Sequence, residues 1–304
     1  MNTPWGDLPV ADAHVHFFSD RFFRTLAKQT GDASADVPAI LGWERPDPDP
    51  AILASRWVSE LDRNDVQRAS LIASVPGDED SVAAAIAAYP ERFFGYFLCD
   101  PTATDATERA KSAFARNLKG LCLFPAMHRY SICDPRAAAV IQVAADQPGT
   151  LVFVHSGVLS VGVRKKLGLF SPFDMRYSNP IDIHPVALAF PKVPFVVPHF
   201  GAGYFREALM LADLCANVYL DTSSTNSWVR YHAPEVSLRD VFRRSLDVVG
   251  AGRLLFGTDS SFLPRGWNRS IFDAQCELLH SLDCPKAKAA AIFGENLIRL
   301  LLAS

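Results

Sequence analysis

A chain of 304 residues that is 49% hydrophobic and 21% charged can bury a large core, and its composition is not that of a disordered, collagenous or fibrous protein. The formal net charge is −3 and the Lys and Arg residues are scattered, which argues against nucleic acid and an anionic membrane surface as partners. No apolar run approaches the ~20 residues of a spanning helix, and the first residues lack a charged segment leading into an apolar one, so a cytoplasmic protein acting on a small molecule is expected.

Taken along the chain, short apolar or β-branched runs alternate with amphipathic stretches, the pattern of parallel strands joined by crossover helices. The first strand is expected over 8–14 and runs into Asp12-Ala13-His14-Val15-His16. A long excursion follows, with Phe17, Phe18, Phe22 and Phe23 directly after the histidines and Arg45-Pro46-Asp47-Pro48-Asp49-Pro50 before a helix over 51–63. Strands over 67–73 and 93–99 come next, separated by an Ala-rich helix opened by Asp80 or Ser81. Thr104 precedes a helix over 105–116, and the fourth strand is expected over 118–124. Asp134-Pro135 places proline at the first position of a helix over 136–145. The fifth strand, 150–155, ends in His155, and the sixth, 194–199, ends in His199; a long connection over about 156–193 lies between them. Strands over 217–221 and 253–259 complete the set, with helices over 204–215, 238–248, 267–282 and 285–302.

Eight strands in this alternation predict a single-domain α/β fold over 1–304, a (β/α)8 TIM barrel with long loop excursions about 17–66 and 156–193. Long βα loops on such a barrel cover or shape the active site. The six cysteines form no C-x-x-C pair, and Cys99, Cys122 and Cys215 sit inside apolar runs, so buried reduced thiols are expected in place of disulfides or a thiolate metal site.

The chemistry follows from which residues end strands. His14 and His16 are two apart, so the strand period turns both imidazoles to one side. In a closed barrel the C-terminal ends of all strands open on one face, which brings His155, His199 and Asp259 towards that pair. Four of the eight histidines and one aspartate would then share one mouth. Nitrogen and oxygen donors without sulfur suit Zn first, with Mn, Fe and Co as alternatives. Such an ion lowers the pKa of water towards ~7. Asp259 then ligates, takes a proton, or does both, and His199 holds the water or serves the leaving group. Arg129, Arg164, Arg176, Arg230 and Arg265 lie in loops at the mouth, and Arg164 is expected to grip a substrate carboxylate. Gly201-Ala202-Gly203 lacks the rest of a phosphate-binding motif and is expected to be a turn.

The ordered motifs Asp12-Ala13-His14-Val15-His16, His155-Ser156-Gly157, Phe190-Pro191 leading to His199-Phe200-Gly201, Gly257-Thr258-Asp259 and Phe293-Gly294-Glu295-Asn296 resemble the amidohydrolase-related family. The branch is the one with aminocarboxymuconate-semialdehyde decarboxylase, resorcylate-type decarboxylases and pyrone-dicarboxylate lactonase. The resemblance implies an amidohydrolase-like barrel with His14, His16, His155 and Asp259 as ligands of one divalent ion and His199 as acid or base. It implies no second ion, since Phe124 stands where binuclear relatives carry a bridging Lys or Glu, and Lys119 is at the other end of that strand. Metal-free lactonases of the branch keep similar histidines, which leaves a metal-free route open.

The expected function is hydrolysis of a C–O or C–N bond in a lactone, ester or amide of a small carboxylated molecule by metal-activated water. Non-oxidative decarboxylation of an aromatic or unsaturated acid on the same site is the alternative, and a non-catalytic ligand-binding barrel is the third. A homo-oligomer is compatible with the sequence.

Overall fold

The computed structural model describes residues 1–302. Its centre is a ring of eight parallel strands in chain order: β1 (Ala11–Phe17), β2 (Arg68–Ala73), β3 (Phe93–Cys99), β4 (Gly120–Leu123), β5 (Leu151–Val154), β6 (Phe195–Val197), β7 (Val218–Asp221) and β8 (Leu254–Leu255). The ring is closed by backbone bonds between β1 and the segment after β8: Ala13 N to Phe256 O at 2.8 Å, Asp259 N to His14 O at 3.0 Å and His16 N to Ser260 O at 2.7 Å.

Both faces of this sheet are covered, which is why its strands read as continuous apolar runs. Ala13, Ile72, Tyr96, Cys122, Phe153 and Val196 fill the barrel, while Val15, Leu71, Phe97, Leu121, Val152 and Val197 pack outward against helices. The Tyr96 ring lies over Gly120 so closely that a Cβ there would meet it at 2.2 Å. No helix among the described residues is long and apolar enough to cross a membrane.

Most strand boundaries depart from the sequence reading by a residue or more, and the first, sixth and eighth strands depart furthest. The first strand starts three residues later because Pro9 has no N–H to give a ladder, although Leu8 and Val10 are buried. The strand also ends three residues later than expected, at Phe17, so both histidines lie inside β1. The sixth strand stops at Val197, because Pro198 is followed by residues with positive φ. The eighth keeps two regular residues, since residues 256–260 bond to β1 and Asp259 takes φ 58°.

Of the expected caps only Asp134 holds its place: the Ala-rich helix starts at Glu79 after Asp78, with Asp80 and Ser81 inside it, and the helix expected after Thr104 is Ala106–Ala115 with Asp105 at its N-cap. Asp134 accepts from Arg136 N at 2.9 Å at the start of Pro135–Ala145, and Ser237 with Asp240 forms a capping box before Leu238–Val248. The last helix, expected unbroken over 285–302, is Lys286–Ala290, a π turn over Ala291–Glu295, then Asn296–Leu301. At this bulge the Ile292 carbonyl accepts from Phe256 N at 3.0 Å, tying the helix to the closing segment. Five cysteines are buried and none is disulfide-bonded; Cys133, expected to be buried, is exposed in the turn before Pro135–Ala145.

The two excursions meet over the mouth. Phe22, Phe23, Leu26 and Val37 from the first pack with Val163 from the second in a cluster of their own, bordered by Phe18, Trp43 and Leu167. The first excursion is anchored through Ser19, which caps Asp20–Gln29 and donates to Asp78 Oδ2 at 2.6 Å; Ser81 donates to Asp78 Oδ1 at 2.5 Å. Burial raises Asp78 to about 6, against the pull of these two hydroxyls.

Because this carboxyl has a higher pKa folded than unfolded, its ionisation opposes folding, and stability falls as pH rises through about 6. Asp78→Asn abolishes that ionisation. Relative to wild type, the variant is expected to gain about 1 kcal/mol between about pH 5 and about pH 7.5 in urea unfolding. A pH-independent gap between the two proteins would contradict this reading.

Candidate active site at the barrel mouth

β1 carries His14 and His16 on one side of the strand, and each ring is fixed through Nδ1. His14 Nδ1 donates to Asp221 Oδ2 at 2.7 Å. His16 Nδ1 is 2.7 Å from Ser74 Oγ, which also lies 3.0 Å from Ile72 O. Both Nε2 atoms are thereby turned to the mouth, where Asp259 Oδ1 lies 3.7 Å from that of His14 and 3.3 Å from that of His16. One donor atom from each of these three residues lies within 4.8 Å of the others.

His155 is buried beside this trio but outside its compact donor group. Its ring stacks on Phe124 at 5.1 Å and meets His199 edge-on at 5.5 Å, and its buried Nδ1 has no hydrogen-bond partner. His199 comes from the turn after β6, with its ring 5.1 Å from that of His14. His199, Phe200, Gly201 and Ala202 all have positive φ, a conformation costly for residues other than glycine. Gly201-Ala202-Gly203 is thus a turn, as expected. It is held from the β5 side, where Val158 N donates to Ala202 O at 2.8 Å.

Charge is distributed unevenly here. Burial disfavours protonated His14, but the Asp221 carboxylate outweighs it and raises the group to about 8. Burial and the neighbouring His14 hold His199 below the ordinary imidazole range, and burial together with His199 and His14 holds His155 well below it. Burial pulls the Asp259 carboxyl upward, yet His16, His14 and His199 keep it well below the usual carboxylate range. An ionised carboxylate facing two Nε2 atoms is a donor set that a divalent cation fits, with release of the His14 proton.

These residues line a cavity of about 380 Å³ together with Phe18, Trp43, Phe124 and Phe262. Arg164, expected to bind substrate, is not in its lining. Its guanidinium is engaged by Phe170 O at 2.5 Å, Ser171 Oγ at 3.1 Å and Gln29. The arginine that lines the cavity is Arg265, which lies 4.5 Å from the Phe262 ring centroid and donates to Asp259 O at 3.2 Å and Ser261 Oγ at 3.0 Å. Lys166 also lines it. Phe124 stands at the end of β4, where no Lys or Glu is available to bridge a second ion.

Sequence reasoning missed Asp221 and Ser223. Asp221 is fully buried and ends β7 as a support for His14; Ser223 Oγ lies 3.0 Å from His14 Nδ1 and 2.9 Å from His199 Nδ1. The signal was present, since Asp221 closes its strand at the same level as the histidines. Asp12 is a further support, accepting from His14 N at 2.8 Å and Trp267 Nε1 at 2.8 Å.

Among solved structures, a TIM-barrel protein from Bordetella bronchiseptica is similar over 97% of this chain and 98% of its own, at 19% identity and a TM-score of 0.66. A probable 2-pyrone-4,6-dicarboxylic acid hydrolase from Acinetobacter baumannii, with citric acid bound, matches over 97% and 99%, at 15% identity and a TM-score of 0.60. An amidohydrolase from Burkholderia multivorans with bound zinc matches over 97% and 100%, at 16% identity and a TM-score of 0.58. At these identities the likeness is one of fold. Protein fluG of Emericella nidulans is 37% identical over 100 residues, 32% of this chain, and the chain spans about a tenth (11%) of that relative's length. The family model for amidohydrolases matches residues 11–302, the whole of the barrel from β1 onward. By that match, the chain belongs to the amidohydrolase family of enzymes.

Proposed function

We propose that the protein is a metal-dependent hydrolase that cleaves a C–O or C–N bond in a small carboxylated molecule such as a lactone, ester or amide. The observation that carries this reading is the convergence of His14 Nε2 and His16 Nε2 on Asp259 Oδ1, with both Nδ1 atoms already engaged. Two fixed imidazoles and an ionised carboxylate suit zinc, and the zinc-bound amidohydrolase of the same fold supports that choice. We assign His155, with its unpartnered buried Nδ1, as the further donor. A divalent ion in this place supplies Lewis acidity and makes water nucleophilic near neutral pH.

The remaining work falls to the chain's own groups. Asp259, kept ionised, takes the proton of the attacking water. His199 faces the reacting carbonyl from the β6 side and steadies the charge that develops on it. Arg265 holds a substrate carboxylate in the role expected of Arg164, since its guanidinium borders the cavity beside Asp259. The cavity's size suits a small organic molecule, and the citric acid bound to the pyrone-dicarboxylate hydrolase neighbour is in keeping with an acidic substrate. The aromatic lining by Phe18, Trp43, Phe124 and Phe262 favours flat molecules, which also supports decarboxylation of an aromatic acid as a second reading.

Turnover of a panel of lactones, amides and aromatic acids in 18O-labelled water separates the two. Hydrolysis places the label in the product and stops on chelation, with restoration by zinc. Release of CO2 without label selects the second reading, and chelator-resistant turnover by metal-free protein removes the metal role.

A further inference from the structure

Ser223 is fully buried two residues beyond the end of β7, at a junction that serves both His14 and His199. Its backbone N donates to Asp221 Oδ1 at 2.6 Å. Its hydroxyl lies between the two imidazoles, 3.0 Å from His14 Nδ1 and 2.9 Å from His199 Nδ1. The close packing is made possible by Gly257, where a Cβ would stand 2.9 Å from Ser223 Cβ and 2.9 Å from His14 Cβ.

Hydrogens at this junction can be assigned by counting donors and acceptors. Asp221 is an acceptor at both oxygens, so the shorter bond, 2.7 Å, takes the hydrogen of His14 Nδ1. A protonated Nδ1 cannot accept from Ser223, which leaves His199 Nδ1 as the acceptor for the serine hydroxyl. The opposite arrangement has His199 Nδ1 donating to Ser223 Oγ at 2.9 Å or to Ser223 O, a long contact at 3.3 Å. It also strands the serine hydrogen at a fully buried site without an acceptor among the described residues, which is costly.

We propose that Ser223 is a positioning residue that holds His199 as its Nε2–H tautomer, so that His199 offers the substrate a hydrogen-bond donor and not a base. Resting on the hydrolase reading above, this divides the labour at the mouth: Asp259 receives the proton of water, and His199 Nε2–H stabilises negative charge on the carbonyl oxygen without giving up its proton. A neutral imidazole serves as an electrophile in this way, and no step needs it to become an imidazolate.

The test is two-bond 1H–15N correlation of the zinc-loaded protein with 15N-labelled histidines, the His199 signals being identified by their loss in His199→Gln. The expected pattern has Nε2 protonated and Nδ1 bare. A pattern with Nδ1 protonated, or one averaged between tautomers, overturns the proposal in the wild-type protein itself, with no variant needed. In Ser223→Ala the preference is expected to disappear, and kcat to fall about 10- to 100-fold while KM changes less than about threefold. An unchanged tautomer together with wild-type kcat in that variant also overturns it. The spectrum does not depend on turnover, so a protein with the expected pattern that hydrolyses nothing sinks the hydrolase reading and leaves the Ser223 assignment standing.

Discussion

Asp259→Asn is expected to lower kcat/KM by about 10³-fold or more and to weaken zinc binding, while the protein stays folded. The side chain is asked to do two things at once: supply an anionic oxygen opposite His14 Nε2 and His16 Nε2, and accept a proton from water. Loss of a general base alone costs about 10²- to 10⁴-fold. Asparagine is the informative replacement because Asp259 sits at φ 58°, where Asn is tolerated better than most residues and Ala would add backbone strain. The backbone bond from residue 259 N to His14 O, part of the ring closure, is untouched by the change. Steady-state kinetics, metal content and a thermal melt on the same preparation decide the matter. Activity within tenfold of wild type with full zinc content would remove Asp259 from both roles.

The second large effect is one of shape. Gly157 has φ 79°, and a Cβ on it would lie 2.2 Å from Gly201 O and 2.4 Å from Ala202 O. These are backbone atoms of the left-handed turn that carries His199, so no side chain can swing aside to relieve the overlap. Gly157→Ala is expected to destabilise the fold by about 3 kcal/mol or more, from the clash together with the strained φ. For a chain of this size that corresponds to a melting temperature lower by roughly 5 °C. Activity should also fall at temperatures where the variant is still fully folded, because the turn can clear the added methyl only by moving His199. A variant with a wild-type melt and wild-type kcat would show that the turn yields freely and that its tight packing has no bearing on the site.

How much of this was legible in the sequence depended on whether a feature was local. Leu151–Val154 and Phe195–Val197 are apolar on both faces, and such runs announce strands of a covered parallel sheet without further information. His14, His16 and Asp259 were recognisable because each stands at the mouth end of the barrel, and the structure brings these three together. His155 is close by but outside their compact group, a distinction among strand-end histidines that no sequence pattern encodes. Arg164 and Arg265 were indistinguishable as loop arginines. Which one borders the cavity was decided by the fold of 156–193, whose Phe170 carbonyl and Ser171 hydroxyl occupy Arg164. Asp221 was overlooked because it was counted as the last residue of a strand, although the rule that singled out Asp259 applies to it equally. The shortened β8 was not foreseeable, since Phe256 continues the apolar run of Leu254 and Leu255 in the sequence, whereas in the structure residues 256–260 exchange their partner from β7 to β1.

That exchange has a consequence for how the protein is made. The histidine pair is borne by the first strand of the ring and Asp259 by the stretch that seals it after the last. A growing chain emerging from the ribosome carries the imidazoles long before the carboxylate exists, and the two meet only when the circle joins. A cation that needs all three donors would find its site only once the barrel is nearly complete.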